Sequence, residues 1–169
     1  MRLRLLRRRR DGRFELRLPE QIRSVLAESC SGMAAWVAAD PDDPALWRLF
    51  PDAYPDDPDH AAFYRLVVRD QLQSRKLADL DLIERTAHAD TLSAEELEAW
   101  LRGLNTIRLA LGTRLDAGEE PVDIDPADPL APMWELYEVI GVLVASITDV
   151  LAEELPPEGR EDASPPEPA

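Results

Sequence analysis

Apolar positions along this chain alternate first with a period of two and then with a helical period. Residues 2–8 and 13–18 read as two half-buried strands. Leu3, Leu5 and Arg7 point one way and Arg2, Arg4, Leu6 and Arg8 the other; on the return, Phe14, Leu16 and Leu18 oppose Arg13, Glu15 and Arg17. Between them Asp11-Gly12 signals a hairpin turn, because both residue types accept positive φ. A two-residue turn pairs Leu5 with Leu18. A four-residue loop over Arg9 to Gly12 pairs Leu5 with Leu16 and Leu3 with Leu18, and fills the apolar face better. The two registers differ by two residues, so both keep one apolar face and leave arginines on the other.

From Pro19 the spacing changes. Ile22, Val25, Leu26, Met33, Trp36 and Val37 predict a helix that Asp40-Pro41 ends. A short helix over Ala45 to Phe50 and a turn-rich stretch precede a long helix from about Pro58 to Ala89, striped by Phe63, Leu66, Val67, Leu77, Leu80 and Ile83. Ser93-x-x-Glu96 is a capping box, opening a helix to about Leu115. An acidic, proline-rich loop covers 116–132. The last helix, about Pro132 to Leu155, is apolar nearly all round at its middle, which predicts a central core position. The expected fold is mainly α: a bundle of about four helices with an N-terminal β-hairpin (1–18). It is one domain over 1–155, followed by a disordered acidic, proline-rich tail over 156–169 that holds no large apolar residue.

Charge divides the chain unevenly. Residues 1–23 hold nine arginines and three acids, a net +6; the formal total is −15, so the rest carries −21. A basic ribbon on an acidic body predicts a binding protein with two unlike surfaces. The start lacks the apolar run of a signal peptide, and Val139 to Ile147 falls short of the roughly 20 residues of a spanning helix. With a single cysteine excluding an internal disulfide, the expectation is a cytoplasmic protein without a membrane segment.

No arrangement of residues announces an enzyme. HExxH, CxxC, GxSxG and phosphate-loop patterns are absent from the sequence, and no metal or cofactor is expected. His60 and His88 stand at opposite ends of the long helix, roughly 42 Å apart at helical rise. The repeated Asp-Pro pairs read as helix caps at Asp43, Asp57 and Asp128. Cys30 lies one position off the stripe of its helix and has Glu28 and two serines as neighbours, which predicts a half-buried thiol with a raised pKa, a redox-sensing thiol being the alternative. Asp70 and Arg108 fall on or near the stripes of their helices and are expected to meet as a partly buried pair, with a small-anion site at Arg108 as the alternative. Arg4, Arg8, Arg13 and Arg17 form the expected partner-binding face of the hairpin. No aromatic residue interleaves them for base stacking, and the acidic body would repel a duplex, so direct DNA contact is disfavoured.

Two stretches carry a resemblance: Leu46-Trp47-Arg48-Leu49-Phe50-Pro51-Asp52-Ala53-Tyr54-Pro55-Asp56-Asp57 and Leu104-Asn105-Thr106-Ile107-Arg108-Leu109-Ala110-Leu111-Gly112-Thr113-Arg114-Leu115. With the hairpin and the closing apolar helix, they resemble the actinobacterial AosR-like family of oxidative-stress transcriptional regulators, over residues 1–155. The resemblance implies a regulator acting through protein partners, a sigma factor or RNA polymerase. The family's gene neighbourhood, beside a Clp protease adaptor, implies as the alternative an accessory or adaptor protein with Clp components as partners. A switch built on an internal disulfide needs two thiols and Cys30 is alone, so the regulatory class is carried over and the redox chemistry is not.

Overall fold

Strands β1 (Leu6–Arg8) and β2 (Phe14–Leu16) form the hairpin in a computed structural model that describes residues 5–51, 54, 56–118 and 124–153. Arg4 and the tail assigned to 156–169 lie outside the described residues. The pairing is antiparallel, with Leu6 opposite Leu16 and Arg8 opposite Phe14. It sits one residue from both registers expected of the pattern, and the loop explains why. The Gly12 N–H donates to Arg9 O at 3.2 Å, Gly12 stands at φ 80°, and the Arg9 N–H donates to Arg13 O at 2.8 Å. That is a three-residue loop with a left-handed glycine. A one-residue shift exchanges the faces of a strand. Leu6 rather than Leu5 therefore joins Phe14, Leu16 and Leu18 in the core, and Arg7 rather than Arg8 stands on the outer face opposite Glu15. A third strand, β3 (Thr91–Leu92), pairs antiparallel with β2 and sets Leu92 against Phe14. Two residues are too few to show a period, so the sequence pattern passes over it.

Helix α1 (Glu20–Ala39) buries Arg23, Leu26, Cys30, Met33 and Val37. This stripe is rotated from the expected one: Val25 is exposed and Cys30 is central. An arginine at its head hides the true phase. The expected long helix is α2 (Pro58–Tyr64), a π-helical segment Arg65–Arg69 and α3 (Asp70–Thr86) in sequence. Only its later part packs as expected, with Leu80 and Ile83 buried, while Phe63 and Val67 are exposed. The cause is that α1 ends beside the start of α3. The Gln73 amide donates to Val37 O at 3.0 Å and Arg69 donates to Pro41 O at 2.7 Å. Residues before Arg69 run past the end of their partner helix.

Helix α4 (Ala94–Arg114) opens on the capping box: the Glu96 N–H donates to Ser93 Oγ and the Ser93 N–H to the Glu96 carboxylate. It, not the last helix, is the central rod. It packs on α1, α3, β3, the 3₁₀ turn Pro44–Leu46 and α5 (Ala131–Ala152), and buries Leu97, Trp100, Leu104 and Ile107. Helix α5 packs mainly on α4 and β1; its Ile140, Leu143 and Ile147 face inward, while Val142 is 56% exposed. Gly103 lets α3 and α4 approach closely, since a Cβ there would stand 2.5 Å from Ile83 Cδ1 and 3.3 Å from Asp79 O. Among the described residues, no helix is long and apolar enough to cross a membrane.

Candidate functional site

The basic hairpin resolves into arginines of two kinds. Arg13 holds the sheet together: its Nε donates to Thr91 Oγ1 at 2.9 Å and its Nη2 to Thr91 O at 3.0 Å, with Glu96 3.5 Å away. This ties the hairpin to β3 and to the head of α4. Arg7 pairs with Glu15 at 2.8 Å, and Arg17 approaches the same carboxylate at 3.5 Å. Desolvation pushes the Glu15 carboxyl upward, but hydrogen bonding and charge from Arg17 and then Arg7 hold it below the usual value. Arg8, Arg9 and Arg10 stand exposed at the tip. With Arg7 and Glu15 they line a recess of about 540 Å³. Arg9 lies 3.4 Å from Asp11. Among the described residues, four arginines thus gather around the tip recess, while Arg13 and Arg17, flanking β2, face acidic partners.

The expected Asp70–Arg108 pair does not form. Asp70 is exposed at the start of α3, and Arg108 lies over the Tyr137 ring, 4.9 Å from its centroid. The antiparallel register that places Asp79 beside Gly103 brings Arg108 level with Ser74, a turn away from Asp70. The polar pair of this seam is Asp79 with Arg102. Two hydrogen bonds join them, Nε to Oδ2 at 3.0 Å and Nη2 to Oδ1 at 2.9 Å. The carboxylate is nearly buried while the guanidinium is half exposed. The hydrogen bonds that Arg102 donates to Asp79 raise the Arg102 pKa. Nearby, burial lowers the Lys76 pKa against the opposing charge of Asp79.

Sequence reasoning missed Arg23, treating it as one more charge in the ribbon. It is 8% exposed. Its Nε donates to Leu18 O, its Nη1 to Ala87 O and Ala89 O, and its Nη2 to Leu16 O, at 2.7–3.1 Å. The hairpin, α1 and the end of α3 are thereby clamped through their own carbonyls. Its position four residues after Pro19, three before Leu26 and seven before Cys30 is the only signal the sequence offers.

Cys30 is fully buried, and its pKa is pushed up to about 12. Burial is the larger cause; Glu84 on α3, not the adjacent Glu28, adds to it. His60 and His88 are exposed and sit 2.7 Å from Asp57 and 2.8 Å from Glu20. The hydrogen bond from His60 lowers the Asp57 pKa. Asp43, Asp57 and Asp128 accept from the N–H groups of Ala45, His60 and Leu130, as capping requires. Among the described residues, no group of three or more His, Cys, Asp or Glu side chains could hold a metal ion.

Comparison with known proteins gives this surface a context. The chain is 30% identical over 142 residues to a protein of Mycobacterium tuberculosis (strain ATCC 25618 / H37Rv) named Oxidative stress regulator AosR, and equally to one of Mycobacterium bovis (strain ATCC BAA-935 / AF2122/97) with the same name. Each alignment covers 73% of this chain and 65% of the relative, so the chain spans slightly less than two thirds of their length. No solved structure matches the chain. The family described as Domain of unknown function (DUF2017) matches residues 3–151, from the hairpin through α5. The chain belongs to that family.

Proposed function

We propose that this protein is a non-enzymatic regulator of the oxidative-stress response, acting on transcription through a protein partner that docks on the arginine tip of the hairpin. The observation that carries the regulatory class is the likeness to proteins named oxidative stress regulator over 73% of the chain. The tip supports the mode of action. Arg7 to Arg10 gather positive charge around one recess on a molecule whose formal net charge is −15. Such a patch attracts an acidic partner surface while the body repels the wrong ones. A sigma factor or RNA polymerase is the partner class assigned. Cys30, buried and with a raised pKa, is assigned a packing role, which places the oxidant signal elsewhere than in this thiol.

The test is affinity capture of the full chain from its native host before and after peroxide treatment, with bound proteins identified by mass spectrometry. Recovery of RNA polymerase or a sigma factor supports the assignment. Recovery of Clp components instead would move the protein to the regulated-proteolysis class.

A further inference from the structure

At and beside the seam between α4 and α5 stand two arginines, Arg108 and Arg48, that pair with no carboxylate among the described residues. Arg108 on α4 lies over the Tyr137 ring of α5, and its Nε is buried without a hydrogen-bond partner. Arg48 follows the 3₁₀ turn and stacks over Trp47, 5.5 Å from the ring centroid. Among the described residues neither guanidinium forms an ion pair or donates a hydrogen bond; their contacts are these aromatic rings.

Two glycines locate the cations, Arg48 near the Tyr137 hydroxyl and Arg108 against α5. A Cβ at Gly112 would lie 3.8 Å from Arg48 Nη1 and 3.9 Å from the Tyr137 hydroxyl, so both atoms share the space beside that glycine. A Cβ at Gly141 would lie 3.7 Å from Arg108 Nε. Three segments of the chain thus converge on Tyr137: the 3₁₀ turn through Arg48, α4 through Arg108 and Gly112, and α5 through Tyr137 and Gly141. In a sequence with 34 acids and 19 basic residues, it is an unusual local excess that Arg108, over the Tyr137 ring, and Arg48, near the Tyr137 hydroxyl beside Gly112, both lack an ion pair among the described residues.

The geometry points to a binding site for a phosphate monoester at Arg48, Arg108 and Tyr137. Guanidinium groups donate in planar forks that match oxyanions, and the tyrosine hydroxyl adds a third donor from a different element. Charge selects among oxyanions. A phosphate monoester carries about −1.5 to −2 near neutral pH and balances two arginines, whereas one carboxylate leaves a positive charge over. Trp47, 58% exposed beside Arg48, offers an apolar surface to whatever the phosphate is attached to. This site is separate from the hairpin tip and does not depend on the partner assigned there.

The experiment is NMR titration of the full chain with inorganic phosphate, phenyl phosphate and acetate at constant ionic strength. Backbone amides of Gly112 and Gly141, the side-chain Nε–H groups of Arg48 and Arg108, and the Trp47 indole are followed. The expected result is saturable shifts of these signals with both phosphates and at least tenfold weaker binding of acetate. A tighter fit for phenyl phosphate than for inorganic phosphate assigns an esterified ligand; equal binding assigns the free ion and overturns the ester assignment. Arg108→Gln and Arg48→Gln should each weaken phosphate binding at least tenfold. Arg48 is exposed, so its variant keeps the test decisive if Arg108→Gln fails to fold. Shifts confined to Arg7–Arg10, shifts equal for acetate and phosphate, or binding unchanged in Arg48→Gln would overturn the site.

Discussion

At the scale of the residue, charge in the sequence and charge in the structure serve different ends. Arg23 spends its donors on four backbone carbonyls and touches three elements. Arg23→Ala would leave those carbonyls without a partner in a buried place, at an expected cost of about 3 kcal/mol. Arg23→Lys should recover only a small part, because an ammonium cannot reproduce the planar fork. Chemical denaturation of both variants, with unchanged slope, measures this. A loss below about 1 kcal/mol for Arg23→Ala would show that the clamp is dispensable. Cys30 gives a second residue-level expectation. Its pKa of about 12 stands well above the unperturbed 9.0. The thiolate population near neutral pH is then about a thousandfold below that of a free thiol. The raised value favours the protonated native state, so the linked loss of stability begins only as pH rises through about 9. Alkylation of the native protein should be slow and should accelerate on unfolding; rapid labelling at neutral pH would contradict the burial.

At the scale of the element, the capping box and the presence of each helix are legible because they rest on short local rules. Ser93 and Glu96 answer each other whatever surrounds them. The hairpin is legible too, but its register is not. Gly12 selects a three-residue loop through its positive φ, and one residue of shift decides which leucine enters the core. The partnering of helices is the least visible level. An all-round apolar helix reads as central, yet α5 lies at the side and α4 holds the middle, since α4 uses Gly103 and small residues to admit close neighbours. The expected Asp70–Arg108 pair failed for the same reason: periodicity gives a face, but not the sliding of one helix along another. Gly103→Ala tests that packing directly. The added methyl would meet Ile83 and the Asp79 carbonyl, so a destabilisation of about 1–3 kcal/mol is expected in thermal or urea unfolding. A neutral effect would mean that α3 and α4 can separate without cost.

At the scale of the whole molecule, four arginines, Arg7 to Arg10, gather around one recess at the tip of a hairpin that side-chain contacts tie to the body of a chain of formal net charge −15. Arg13 belongs to that tie, through Thr91 and Glu96, and its replacement would confuse a loss of docking with a loss of sheet. Arg8, Arg9 and Arg10 stand exposed at the recess and carry the docking in this account. The most direct measurement is the affinity of the captured partner for the full chain and for Arg8→Ser, Arg9→Ser, Arg10→Ser combined, each across a salt series. In the folded triple variant the expected result is a partner affinity at least tenfold weaker and a shallower salt dependence. Equal affinity and equal salt dependence in a folded triple variant would contradict it and place the partner on another face.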